Sequence, residues 1–224
     1  MKLKGVIFDG DGVLFDTENL HVIAWKSFLP FYNINLTDED FKEGVGVEDK
    51  FFLKKLKDKG KIPENLEIEE LIKRKSEALQ KILDSADIKI SEEIKKILEF
   101  SKGKYKIAIA SNSEKKFVLK VIEKLKISHF FDIILTRDDV LNPKPFPDIY
   151  KLVSEKLNIL PENLIAFEDS ETGILSAKSN GIFCIGVKTT SPLEKLKIAD
   201  IIIDELNLEN FKKVIDIFNE TKKY

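Results

Sequence analysis

Apolar positions along this chain fall into two regimes. Residues 3–8 end in an uninterrupted run, Val6-Ile7-Phe8, which reads as a buried strand. Asp9, Gly10, Asp11 and Gly12 follow at once. From Thr17 to Ser85 the spacing is helical. Leu20, Ile23, Ala24 and Phe28 share a face, with Asp16 or Thr17 placed to cap it. A segment from Leu36 runs into a loop at Gly44-Val45-Gly46. Phe52, Leu53 and Leu56 mark another helix, broken at Gly60-Lys61-Ile62-Pro63. Ile68, Leu71, Ile72, Leu79, Ile82 and Leu83 mark the next.

From Ser91 strands and helices alternate. Helices are expected around Ile94–Leu98, Phe117–Leu125, Ile149–Leu157, Ile174–Ser179 and Leu208–Phe218. Strands are expected at Ile107–Ala110, Ile133–Leu135, Leu164–Phe167, Ile182–Val187 and Ile201–Ile203. Apolar strands alternating with helices predict a parallel sheet covered on both faces. The predicted architecture is a doubly wound, Rossmann-like α/β core, residues 1–16 and 86–224, with an all-α helical domain inserted at residues 17–85.

Composition narrows the function. The chain has 224 residues, enough to bury a substantial core. A net charge of -2 provides no field to hold nucleic acid or an anionic membrane. Cys184 is the single cysteine, so neither an internal disulfide nor a cysteine-built metal site is available. The chain opens Met-Lys-Leu-Lys and passes into a strand, so neither a signal peptide nor a membrane span is expected. A soluble cytoplasmic protein, monomeric or weakly dimeric, follows. In the insertion acids and bases nearly balance, and Lys54 to Lys61 reads as a solvated face.

Ligands of open α/β sheets sit beyond the carboxyl ends of the strands. Asp9 and Asp11 follow the first strand, Ser111-Asn112-Ser113 the second, and Glu168-Asp169-Ser170 the fourth. Asn142-Pro143-Lys144-Pro145-Phe146-Pro147 lies between strands. Each cluster has a plain structural reading: an Asp-Gly turn, a Ser111–Glu114 capping box, a surface lysine, a helix start. Met at one end of one sheet, they gather four carboxylates, an arrangement that calls for a divalent cation such as Mg²⁺ and a lysine. The prolines stiffen the segment that holds Lys144, and Pro147 suits the start of a helix.

Together these residues resemble the haloacid dehalogenase superfamily of aspartate-nucleophile phosphotransferases. Asp9, Asp11, Gly12, Asp16 and Thr17 match its first motif, Ser111-Asn112 its second, Lys144 in NPKPFPD its third, and FEDSETGI, residues 167–174, its fourth. The helical insertion falls where this family carries a small α-helical cap that governs substrate choice. The resemblance implies a Mg²⁺-dependent phosphatase acting on a small phosphorylated metabolite, a sugar phosphate, through an aspartyl-phosphate. Asp9 would be the nucleophile and Asp11 the general acid and base, its pKa raised by Asp9. Gly10, Ser111, Asn112 and Lys144 would hold the phosphoryl group. Mg²⁺ would take Asp9, Asp169, the backbone carbonyl of Asp11 and, in its outer or variable shell, Glu168.

Within the superfamily the chain looks like the branch of sugar-phosphate phosphatases and β-phosphoglucomutase. His21 either faces the site, as in the mutase branch, or packs at the hinge. Lys75, on an otherwise apolar stripe, either reaches over the site or snorkels into water. Trp25, Phe51 and Phe52 read as cap core. One departure sets the ranking. The mutase run Gly-Val-Ser-Arg-Glu-Asp carries an arginine for the substrate's second phosphate, whereas Gly44-Val45-Gly46-Val47-Glu48-Asp49 places Val47 there. A hydrolase needs one phosphate site and a mutase two, so the phosphatase ranks first and the mutase second. A dehalogenase would not need Asp11, Glu168 or Asp169. A phospho-accepting signalling module would not need the insertion. A calcium loop fails on Val13, Leu14 and Leu20, and a dinucleotide fingerprint fails at Phe15.

Overall fold

The computed structural model describes residues 2–44 and 46–221. Val45 of the expected glycine loop therefore lies outside the described residues, as do Met1 and residues 222–224. In chain order the elements are β1 (Gly5–Phe8), α1 (Glu18–Phe28), α2 (Asp38–Lys42), α3 (Asp49–Asp58), α4 (Ile68–Ser85), α5 (Glu92–Ser101), β2 (Lys106–Ser111), α6 (Lys115–Leu125) and β3 (Ile133–Thr136). They continue with α7 (Asp148–Leu157), β4 (Leu164–Glu168), α8 (Glu171–Lys178), β5 (Phe183–Val187), α9 (Leu193–Leu196), β6 (Ile201–Ile203) and α10 (Leu208–Thr221).

The strands form one six-stranded sheet of order β3-β2-β1-β4-β5-β6. Every pairing is parallel. Strand alternation divides the core in two. Val6, Phe8, Ile107, Ile109, Ile165 and Phe167 face one side with α5, α6 and α10. Ile7, Ala108, Ala110, Leu164 and Ala166 face the other, with α7 and α8. Because both faces are covered, the positions between the strand ends are apolar or glycine, and this is why the strands read as continuous runs. The first face holds an aromatic stack, with Phe167 at 5.3 Å from both Phe8 and Phe211 between ring centroids.

The helices between β1 and α5 have their own apolar cluster of Trp25, Phe28, Leu29, Phe41, Phe52, Leu53, Leu56 and Leu71. Helices α1 and α4 pack on one another and serve two cores. Ala24 of α1 and Leu79 and Leu83 of α4 join the sheet-side cluster, whereas Trp25, Phe28 and Leu71 face the helical one. The expected apolar face of α1 is therefore shifted: Ile23 is exposed and Trp25 is buried in its place. Phe51, expected in this core, is 46% exposed, and its neighbour Phe52 fills the position. Thr37 and Asp40 close a reciprocal capping box on α2. Thr17 precedes α1 without capping it by its side chain. No helix of the described residues is long and apolar enough to cross a membrane.

Phe211 is fully buried against Phe8 and Phe167. Phe211→Ala is expected to lower stability by about 3–5 kcal/mol. A urea unfolding curve should show a lower midpoint with an unchanged slope.

Candidate active site

The chain leaves the sheet in opposite directions after β1 and β4, so a crevice opens at the carboxyl ends of these neighbouring strands. β1 delivers Asp9, β2 delivers Ser111, and β4 delivers Glu168 and Asp169. Lys144 arrives from the loop before α7. Its Nζ lies 2.6 Å from Asp9 Oδ1, 2.5 Å from Glu168 Oε1 and 2.7 Å from the Ala110 carbonyl. Tyr150 donates its hydroxyl to the same Glu168 oxygen. Lys144 is 2% exposed, which rules out the surface-lysine reading. Asn112 holds the Lys144 segment in place. Its Oδ1 accepts from the Lys144 N–H at 2.9 Å, and its Nδ2 donates to the Lys144 carbonyl at 3.1 Å.

Ser111 is buried, and its Oγ accepts from the Ser113 N–H at 3.0 Å. The expected Ser111–Glu114 capping box is not formed, and α6 has no side-chain cap. The Glu114 carboxylate turns away to Arg137 and Ser76. Gly10 lies against Ser111, where a Cβ would come within 3.2 Å of the hydroxyl. Gly12 has φ +77°, and a Cβ there would collide with the Asp169 carboxylate. Both a left-handed turn and close approach require glycine at that position.

Asp9, Glu168 and Asp169 are buried, with one oxygen of each lying within 4.8 Å of the others. Burial, together with mutual repulsion, raises Asp9 and Asp169 from their ordinary 3.8 to about 8. Glu168 is also raised, chiefly by burial, although Lys144 opposes the rise. Its Oε2 has no hydrogen-bond partner. Hard carboxylate oxygens, too crowded to ionise together and with one oxygen unpartnered, fit a divalent cation.

Asp11 corrects an expectation. Its pKa is lowered to about 2, not raised. Burial pushes it upward, but the nearby His21 ring and the hydrogen bonds from Ser113 and Thr17 outweigh burial. Ser113 Oγ donates to Asp11 Oδ2 at 2.6 Å and Thr17 donates to Oδ1. The Asp11 side chain is held by these donors, whereas at Asp9 burial outweighs the opposing charge of Lys144.

His21 and Lys75 both line the cleft. Lys75 is 4% exposed and does not snorkel into water. Its Nζ lies 2.8 Å from His21 Nδ1 and 3.0 and 3.1 Å from the two Asp49 oxygens. An ammonium donating to Nδ1 leaves the ring proton on Nε2, which faces Asp11 Oδ1 at 3.5 Å. Half-buried Val47 lines the same cleft, as do Trp25 and Phe52, so these two aromatics are both core and wall. Asp49, Glu114 and Arg137 also line the cleft. In the sequence Glu114 reads only as a cap residue, Asp49 only as the end of the Gly44–Asp49 run, and Arg137 carries no signal, because the three come from separate elements that only the fold brings together. Thr17 belongs to a matched motif, and only the fold shows that its hydroxyl donates to Asp11.

A parallel sheet of this order, acids after its first and fourth strands and a helical insertion roofing the crevice define an enzyme of the Rossmann-like α/β class. The family model described as haloacid dehalogenase-like hydrolase matches residues 6–187, and the chain belongs to that family. It is 35% identical over 181 residues to a phosphorylated carbohydrates phosphatase of Thermotoga maritima, spanning 80% of this chain and 82% of that protein. It is 31% identical over 201 residues to a β-phosphoglucomutase of Bacillus subtilis, spanning 85% and 86%. The crystal structure of a β-phosphoglucomutase from Clostridium difficile superposes with a TM-score of 0.85 at 28% identity, covering 98% of both chains.

The raised carboxyls make stability depend on pH. Folded Asp9 and Asp169 retain protons to about pH 8 that the unfolded chain has released by about pH 4. Metal-free protein should therefore lose stability as pH rises from 5 to 8. The lowered carboxyl of Asp11 has made its full contribution by pH 5, because its folded and ordinary values, about 2 and 3.8, both lie below that. A divalent cation held by these carboxyls would compete with the retained protons, so Mg²⁺ is expected to raise the melting temperature more at pH 8 than at pH 5. Thermal melts in EDTA and in Mg²⁺ at both pH values check the sign.

Proposed function

We propose that the protein is a Mg²⁺-dependent phosphatase that hydrolyses a small phosphorylated metabolite, a sugar phosphate, through an aspartyl-phosphate on Asp9. The observation that carries this reading is the buried Asp9–Lys144 contact of 2.6 Å at the floor of the cleft, beside Glu168 and Asp169. The phosphatase name of a relative at 35% identity supports the substrate class. In this reading residues 17–85 form a cap that selects the substrate, over a catalytic core of residues 1–16 and 86–224.

Mg²⁺ would be held by Asp9, Asp169, the Asp11 carbonyl and Glu168, and when bound it supplies positive charge that neutralises the phosphoryl oxygens. Lys144 adds a second positive charge and directs the Asp9 carboxylate. Ser111 Oγ and the Asn112 N–H would hold the phosphoryl oxygens, with Gly10 packed against Ser111 to leave room for them. An Asp9 oxygen attacks phosphorus and the ester P–O bond breaks. Asp11 gives its proton to the departing alkoxide, and then takes one from the water that releases phosphate from Asp9. The donors around Asp11 hold its carboxyl low, and a phosphoryl group bound beside it would raise its pKa by like-charge repulsion, so that Asp11 takes up a proton from water as substrate binds.

A phosphosugar mutase is the second reading, favoured by the likeness to β-phosphoglucomutases and by His21 and Lys75 in the cleft. Val47 is the counter-argument, since a mutase must grip phosphate at both ends of a bisphosphate.

Asp9→Asn should keep the fold, read by circular dichroism, and lower turnover by at least about a thousandfold. The assay is a panel of sugar phosphates with Mg²⁺, scoring released phosphate separately from isomerised sugar. Wild-type-like turnover in Asp9→Asn would remove the nucleophile assignment, and isomerisation outpacing hydrolysis in the wild type would reverse the ranking. Val47→Arg should raise isomerisation relative to hydrolysis in the same assay.

A further inference from the structure

Besides Lys144 the cleft is lined by two further cations, Lys75 and Arg137, and neither is free. Arg137 follows β3. Its Nη2 lies 2.7 Å from Glu114 Oε1 and its Nη1 3.4 Å from Asp49 Oδ2. Lys75 Nζ spans both oxygens of Asp49 at 3.0 and 3.1 Å. The second oxygen of Glu114 accepts the Ser76 hydroxyl. Asp49 is almost buried, and its pKa stays low because Lys75 and Arg137 overcome the effect of burial. Two cations therefore meet two carboxylates in fixed geometry. Lys144 is likewise committed to Asp9 and Glu168. Among the described residues lining the cleft, no lysine or arginine lacks a carboxylate partner.

We infer that Glu114 and Asp49 are specificity residues: by neutralising Arg137 and Lys75 they select substrates whose part beyond the scissile phosphate is uncharged and hydroxyl-rich, and they exclude a second phosphate or carboxylate. The inference rests on the phosphatase reading above and narrows its substrate. A second anion entering here must displace Glu114 or Asp49 from its cation, leaving a desolvated carboxylate unpaired beside it. Sugar hydroxyls meet no such conflict. They donate to the carboxylates and accept from the ammonium and guanidinium without separating the pairs. Val47 acts in the same direction, because it lines this space without a charge.

Substitution of Glu114 releases Arg137 without removing it. The probes are glucose 6-phosphate and glucose 1,6-bisphosphate, compared by kcat/KM in Mg²⁺ and by calorimetric binding to Asp9→Asn protein. The wild type should favour the monophosphate by roughly tenfold or more, and Glu114→Gln should move the ratio toward the bisphosphate by about tenfold. Adding Arg137→Gln should cancel that movement, which a mere loosening of the cleft would not do. Binding to Asp9→Asn and Asp9→Asn/Glu114→Gln should show the same change. An unchanged binding ratio, a ratio that stays moved in Glu114→Gln/Arg137→Gln, or a wild type that prefers the bisphosphate would overturn the inference. A moved binding ratio with no hydrolysis of any ester would support the charge rule while removing the phosphatase reading.

Discussion

A lysine ammonium with almost no access to water, set between two buried carboxylates, is the interaction on which the rest of this structure depends. Lys144 touches Asp9 and Glu168 at 2.6 and 2.5 Å. An ion this deep is tolerable only if every partner is in place, and here the Ala110 carbonyl and the Tyr150 hydroxyl complete the set. Four segments distant in sequence must therefore arrive together. The sheet order does this by placing β1 between β2 and β4, so that their carboxyl ends share one rim. The stiff loop before α7, pinned by Asn112, brings the cation to that rim.

The same group of acids has more negative charge than one lysine can balance. Asp169 is held by the hydroxyls of Thr189 and Thr190, yet burial and Asp9 still push its pKa upward. A site built this way retains protons, and a cation held there would compete with them. Asp11, two residues from Asp9, belongs to a different environment. Thr17, Ser113 and His21 surround it with donors, so adjacent carboxyls of like type shift in opposite directions. Separation of the two pKa values by environment is the arrangement that acid–base chemistry uses.

The helices between β1 and α5 are tied to the sheet in two ways. α1 and α4 share apolar residues with the sheet-side core. Polar contacts also cross the cleft: Arg137 and Glu114 belong to the sheet side, and Asp49 and Ser76 to the helical side. His21 stands at their junction, edge-on to Phe117 at 4.9 Å with Lys75 on its Nδ1. The wall facing any substrate is thus made of paired charges and buried aromatics, and few side chains in it are free to rearrange alone.

The sequence by itself determined the layered α/β plan, because strands covered on both faces must be apolar throughout, and helices covered on one face must repeat near 3.6 residues. It also determined the positions of Asp9, Asp11, Ser111, Lys144, Glu168 and Asp169, because glycines, prolines and strand ends mark such places in the chain itself. Tertiary structure alone decided the direction of the Asp11 shift, the release of Glu114 from its expected cap, the burial of Lys75, and the meeting of Asp49, Glu114 and Arg137. Periodicity reports which face of an element is buried, but not which charged group from another element stands opposite. Pairing energies and pKa shifts depend on distances of a few ångströms between residues far apart in the chain, and these distances exist only once the chain has folded.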